Sequence, residues 1–117
     1  MGIFRVPLQV GNPFTGQTET VDAIVDTAAA DSVMPSSLLR RLGIEPARTV
    51  RYRTASGERV NYEVGSAYFA AEGFRCIANV VFGPEEEPLM GATTLEQLYL
   101  AVDPRNKRLA PVEGLLL

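Results

Sequence analysis

The stretch AIVDTAAADSVMP, residues 23–35, decides how the chain is read. Ile24 and Val25 are β-formers heading towards a core, yet an ionisable Asp26 follows them, then Thr27 and three alanines. An unpaired buried carboxylate is costly, so an ionisable residue at this point raises the question of what its charge is there to meet. By itself, an Asp-Thr behind a strand also fits a plain turn or Asx cap.

The flanking sequence places this stretch in a mostly β chain. Residues 3–10 and 17–25 read as two strands joined by GNPFTG, whose Asn, Pro and glycines are turn chemistry. The second strand delivers the chain to Asp26. MPSSLLRRLGI then predicts a helix of about two turns, with Leu38, Leu39 and Leu42 on one face and Gly43 at its end. Residues 49–54 and 59–64 predict a hairpin around Ala55, Ser56 and Gly57; its polar and aromatic residues alternate without an apolar face, so it projects from the body. Residues 66–71 and 74–81 form a further pair, and FGPEEEP reads as a solvent loop of mutually repelling glutamates. In LMGATTLEQLYLAVDPRNKRLAPV, Thr93 and Glu96 have the spacing of a capping box on a second helix, followed by a closing hairpin. The expectation is a single domain over residues 1–117, all-β and mainly antiparallel, with six to eight short strands in a small closed barrel-like sheet and one or two short helices. The three terminal leucines, 115–117, suggest cover by another subunit.

Composition removes several function classes. There is no histidine, which excludes the usual Ser-His-Asp and Cys-His catalysis and imidazole-based zinc sites. No metal or other cofactor is expected. Phosphate-cradling glycine loops are absent as well. The net charge of −3 offers no footprint for nucleic acid or an anionic membrane. Arg51, Arg53 and Arg59 read as a solvated face. No apolar run reaches the roughly 20 residues of a membrane span, no leader pattern is seen, and Met1-Gly2 lacks a second anchoring signal. A cytoplasmic location follows as the default. The lone Cys76, in a probable strand, reads as a small core residue. If the chain is an enzyme, carboxylates are left to do the chemistry.

Two separated segments then resemble one family, the retropepsin-like aspartic proteases. IVDTAAADSV is similar to its apolar-apolar-Asp-Thr-Gly-Ala signature, and LMG followed by a helix, about 65 residues on, resembles its apolar-apolar-Gly-helix signature. The resemblance covers nearly the whole chain and implies the acid-protease fold as a homodimer, each subunit giving one catalytic aspartate, Asp26. It further implies that Thr27 bonds across the dimer axis and that Gly91 lets backbone pass beneath the catalytic loop. Ala28, Ala29 and Asp31 would line the cleft, while Thr54, Ala55, Ser56 and Gly57 would belong to a flap closing over an extended peptide. The implied activity is aspartic endopeptidase; the alternative is a weak or inactive peptide-binding and dimerisation module of the same fold.

Two departures bear on that choice. The family's usual glycine is Ala28 here. At negative φ alanine is tolerated, whereas its methyl, by crowding substrate at a cost of roughly 1–3 kcal/mol, predicts a slowed enzyme rather than a dead one. Retroviral members commonly pair an acid at the position of Ala30 with an arginine after the glycine; this chain has Ala30 and Ala92, and losing both partners leaves neither charge buried alone.

Overall fold

A computed structural model describes residues 3–116. The Met1-Gly2 reading and the last of the three terminal leucines fall outside them. Alternation of apolar residues builds β1 (Arg5–Gly11) and β2 (Thr18–Val25), which pair antiparallel in register from Arg5 opposite Ile24 to Gly11 opposite Thr18. Their turn is set by Asn12: its Oδ1 accepts the amides of Phe14 at 2.8 Å and Thr15 at 3.2 Å, and its Nδ2 donates to the Leu42 carbonyl at 3.0 Å. One side chain therefore shapes the turn and ties it to the region after the first helix.

Past the Asp26 loop come β3 (Ser32–Pro35), α1 (Ser36–Arg41), β4 (Arg48–Arg53), β5 (Arg59–Ala71) and β6 (Phe74–Gly83). The chain continues through β7 (Leu89–Met90), α2 (Ala92–Leu98), β8 (Leu100–Asp103) and β9 (Arg108–Pro111). The main sheet runs β1-β2-β7-β3-β6-β5-β4, and a further β1–β5 pairing closes the first six strands into a ring. Closure removes the open edges of these six strands, and β4 remains outside the ring as an edge. Two contacts, β2 with β7 and β3 with β6, are parallel; the others are antiparallel. Leu8, Val10, Met34, Leu39, Phe69, Val80 and Met90 fill the centre, joined by Leu95 and Leu98 of α2 and Leu100 of β8.

Four local expectations are corrected. β3 was not foreseen, because its four residues are too few to show a period of two. Residues 59–71 form one strand, not two: Gly65 is there because the Glu45 carbonyl oxygen would lie 2.7 Å from any Cβ, not because the chain turns. The capping box does not form; Gly91 is the N-cap of α2, without a side-chain cap. The acidic loop is tied, not merely solvated: Glu85 accepts the Ser37 amide at 3.1 Å and the Ser37 hydroxyl, and Glu87 pairs with Arg5 at 2.6 Å. Those Ser37 bonds hold the Glu85 carboxyl below its ordinary pKa.

β5 explains the projecting hairpin. Its later residues, Val64 to Ala71, pair with β6, while Arg59 to Glu63 pair only with β4. Beyond Glu63, β4 and β5 leave the barrel as a two-stranded ribbon with an exposed tip at residues 54–58.

Candidate active site

Asp26 follows the last residue of β2 and is half-buried. Its amide donates to the Met90 carbonyl at 2.9 Å, which fixes the loop's first residue against β7. Its Oδ1 accepts the Ala28 amide at 3.0 Å, and the Ala29 amide returns to the Asp26 carbonyl at 3.3 Å. Thr27 and Ala28 are thus the centre of a turn. Among the described residues the non-glycine positions with positive φ are Glu72, Tyr99 and Lys107, so Ala28 carries no left-handed strain.

α2 holds the other side of the loop. The Ala92 amide donates to the Ala29 carbonyl at 2.8 Å, and the Thr93 amide to that of Ala30 at 2.9 Å. These are amides that a helix start leaves without partners, so the loop carbonyls do what a capping side chain would have done. Loop and helix are joined here by main-chain bonds with no ion pair at Ala30 and Ala92.

Gly91 is required by space. A Cβ at this position would lie 2.5 Å from both the carbon and the oxygen of the Asp31 carbonyl group, though its φ of −94° suits any residue. The same approach brings the Gly91 amide 3.0 Å from Ser32 Oγ, which also bonds Thr94 Oγ1; both hydroxyls are fully buried. Sequence reading missed Ser32 and Thr94, having assigned the helix-start role to Thr93.

The loop forms the floor of a groove of about 460 Å³. Ala28, Ala29 and Asp31 line it as expected, and Thr54 and Ala55 line it from the ribbon; Ser56 and Gly57 lie at the exposed tip and do not. Val33, Val81 and Leu89 give it an apolar wall. Tyr52 and Tyr62 also face it, their rings 6.2 Å apart and tilted by 59°. Tyr52 donates its hydroxyl to Asp31 Oδ2 at 2.7 Å, a link that the sequence reading did not find. Burial first, then that bond and the Asp31 charge, raise the Tyr52 pKa, so the phenol remains a donor.

Asp26 and Ala28 border a second concavity as well, of about 400 Å³, lined by Ile3, Phe4, Val25, Thr27, Val102 and Pro104. The carboxylate stands on a ridge between a roofed groove and a more apolar hollow. Cys76, half-buried in β6 and away from both, has its thiol pushed up to about 11 by burial, which suits a packing residue and not a nucleophile. Among the described residues no group of three cysteine or carboxylate side chains converges as a metal site would.

A ring of short strands, an Asp-Thr loop at one strand's end and a glycine packed under that loop together define a retropepsin-like architecture. The family described as aspartyl protease matches residues 6–104, and the chain belongs to it. Among solved structures, the chain is similar to the Simian Foamy Virus (mac) protease, at 18% identity and a TM-score of 0.57, over 79% of this chain and 91% of that one. It is similar also to the retroviral protease-like domain of Ddi1 from Leishmania major, at 16% identity and a TM-score of 0.61, covering 95% and 89%. The foamy viral protease-reverse transcriptase in complex with an RNA/DNA hybrid matches at 15% identity and a TM-score of 0.60; 97% of this chain covers 13% of that one. At such identities the likeness is one of fold. No curated protein matches the chain.

Proposed function

We propose that the chain is an aspartic endopeptidase that works as a homodimer, with one domain over residues 1–117 in each subunit and Asp26 of each forming the catalytic pair. The observation that carries this reading is the placement of Asp26: it follows a strand on a main-chain-clamped loop at the floor of a groove, beside an apolar hollow. A second copy seated on that hollow would bring its own Asp26 alongside. No other aspartate in the chain is followed by Thr after a strand, so a complete pair requires two chains.

Two carboxylates about 3 Å apart cannot both ionise cheaply, and aspartic proteases are the standing example of a pair that shares one proton. The ionised member takes a proton from a water held between them. That water's oxygen bonds to the peptide carbonyl carbon, and the protonated member then supplies a proton to the departing amine as the C–N bond breaks. By symmetry either Asp26 takes either role, and the two apparent pKa values belong to the pair.

Other residues assist this step. Thr27, exposed at the edge of the hollow, is positioned to bond with its twin and hold two loops together. Ala28, Ala29 and Asp31 accept an extended peptide along the groove, and the ribbon with Thr54, Ala55, Ser56 and Gly57 acts as a flap that excludes water. Ala28 lines this space and carries no left-handed strain, so crowding of the peptide, rather than backbone strain, is what slows the enzyme.

The test is Asp26→Asn against a diverse peptide library at acidic to mildly acidic pH, with sedimentation in parallel. Cleavage should fall by about 10³-fold or more while the dimer persists. Cleavage that survives the substitution, or a wild-type chain that is active as a monomer, would sink the proposal.

A further inference from the structure

The hydrogen bond from Tyr52 to Asp31 leads to a role for Tyr52 that the catalytic reading leaves unassigned. The ribbon of β4 and β5 is an edge structure: β4 has β5 as its one neighbour, and the first residues of β5 have no partner but β4. A two-stranded hairpin standing alone in water is at best marginally stable. Among the described residues, Tyr52→Asp31 is the one side-chain hydrogen bond that joins β4 to another part of the chain. Arg40 also reaches the base of the ribbon, at Glu63, but that pair is long at 3.3 Å and exposed, so it contributes little.

The Tyr52 bond is of a different kind. It is short, partly buried, and ends on a carboxylate, which makes it stronger than a neutral pair. Asp31 in turn stands directly before Ser32, whose hydroxyl is tied to Gly91 and Thr94, so the acceptor rests on a fixed base. The groove of about 460 Å³ lies between loop and ribbon with this bond already made. That is within the size range of ligand sites, so the link is compatible with an occupied groove.

We propose that Tyr52 is a positioning residue: its phenol, clasped to Asp31 within one chain, holds the ribbon over the Asp26 loop before any peptide arrives. The proposal rests on the endopeptidase reading and adds the regulation of its groove. A roof set in place beforehand lowers the ordering cost of binding and acts alike on bound substrate and transition state. The clasp therefore governs KM and leaves kcat nearly untouched.

The experiment compares the wild-type chain with Tyr52→Phe, Asp31→Ala, Asp31→Asn and the Tyr52→Phe/Asp31→Ala pair. Amide hydrogen exchange is followed at Thr54 and Gly57, whose N–H groups close the ribbon tip on Glu58 and Thr54. Tyr52→Phe and Asp31→Ala should each speed exchange by about 3- to 10-fold, and the double variant no further. Asp31→Asn keeps an oxygen that accepts from the phenol, so its exchange should remain close to wild type. With a peptide from the library that the wild type cleaves, Tyr52→Phe should raise KM by a similar factor and change kcat by less than about twofold. Unchanged exchange in Tyr52→Phe, a full Tyr52→Phe effect persisting in the Asp31→Ala background, or a fall in kcat at constant KM would each overturn the proposal. A chain that cleaves no peptide defeats the endopeptidase reading instead, and the exchange comparison still decides whether the clasp exists.

Discussion

The groove has a floor and a roof built on opposite plans. The floor, residues 26–32, is tied by main-chain bonds to β7 and α2 and by the buried Ser32 and Thr94 hydroxyls. The roof, β4 with the first residues of β5, is a ribbon with an exposed tip and, among the described residues, one side-chain bond to the floor. Two main-chain bonds to α2 and one to β7 fix the position of the Asp26 loop, as the proposed catalysis by a shared proton would require. A ribbon with a single clasp can lift and settle, as the proposed admission of a peptide would require. The two regions therefore differ in what a substitution disturbs: on the floor the whole fold, in the roof a local opening.

Glycine makes the comparison sharp, because each region has one that matters for a different reason. Gly91→Ala should have the largest effect. Its Cβ would meet the Asp31 carbonyl at 2.5 Å, and neither backbone segment can give way without breaking the bonds that hold the loop. A cost of about 3 kcal/mol is expected, with Tm lower by roughly 10 °C or more. A Tm within a couple of degrees of wild type would mean that loop and helix slide freely, and the floor would be no firmer than the roof.

Ser32→Ala should come next. It leaves the Gly91 amide and the Thr94 hydroxyl buried without their partner, at a cost of about 2 kcal/mol. Thr94→Val should cost less, since Ser32 Oγ still accepts from Gly91 and only the hydroxyl–hydroxyl bond is lost. Equal losses in thermal unfolding would shift the weight from the Gly91 amide to the Ser32–Thr94 bond itself.

The sequence exposed these two regions unevenly. The Gly57 hairpin was legible as a local pattern, a turn between alternating strands, whereas Asp26 and Gly91 stood out only through the joint resemblance of two separated motifs. The closed, mostly antiparallel sheet with two short helices followed from the same patterns. What stayed hidden was pairing at a distance. Tyr52 with Asp31, and Ser32 with Thr94, join positions 21 and 62 residues apart, and neither partner's residue type announces the other. Thr93 and Glu96 had the right spacing for a cap, but the Ala29 and Ala30 carbonyls had already satisfied the amides that a cap would serve. Gly65 read as a break because a close approach by another backbone leaves the same mark on a sequence as a turn.

Gly57→Ala should have the smallest effect and the most local one. Gly57 has φ of +89° and nothing within 4 Å of a Cβ, so the penalty comes from conformation alone, about 1 kcal/mol. Because residues 54–58 are exposed and their ribbon is separate from the barrel, that cost should appear as faster exchange at Thr54, with Tm lower by only a few degrees. Gly57→Asn should cost less than alanine, since asparagine enters the left-handed region more readily. If Gly57→Ala instead lowered Tm as far as Gly91→Ala, the ribbon would unfold with the barrel as one unit. A roof so coupled could not open alone, and in the proposed dimer a peptide would have to reach Asp26 by parting the subunits.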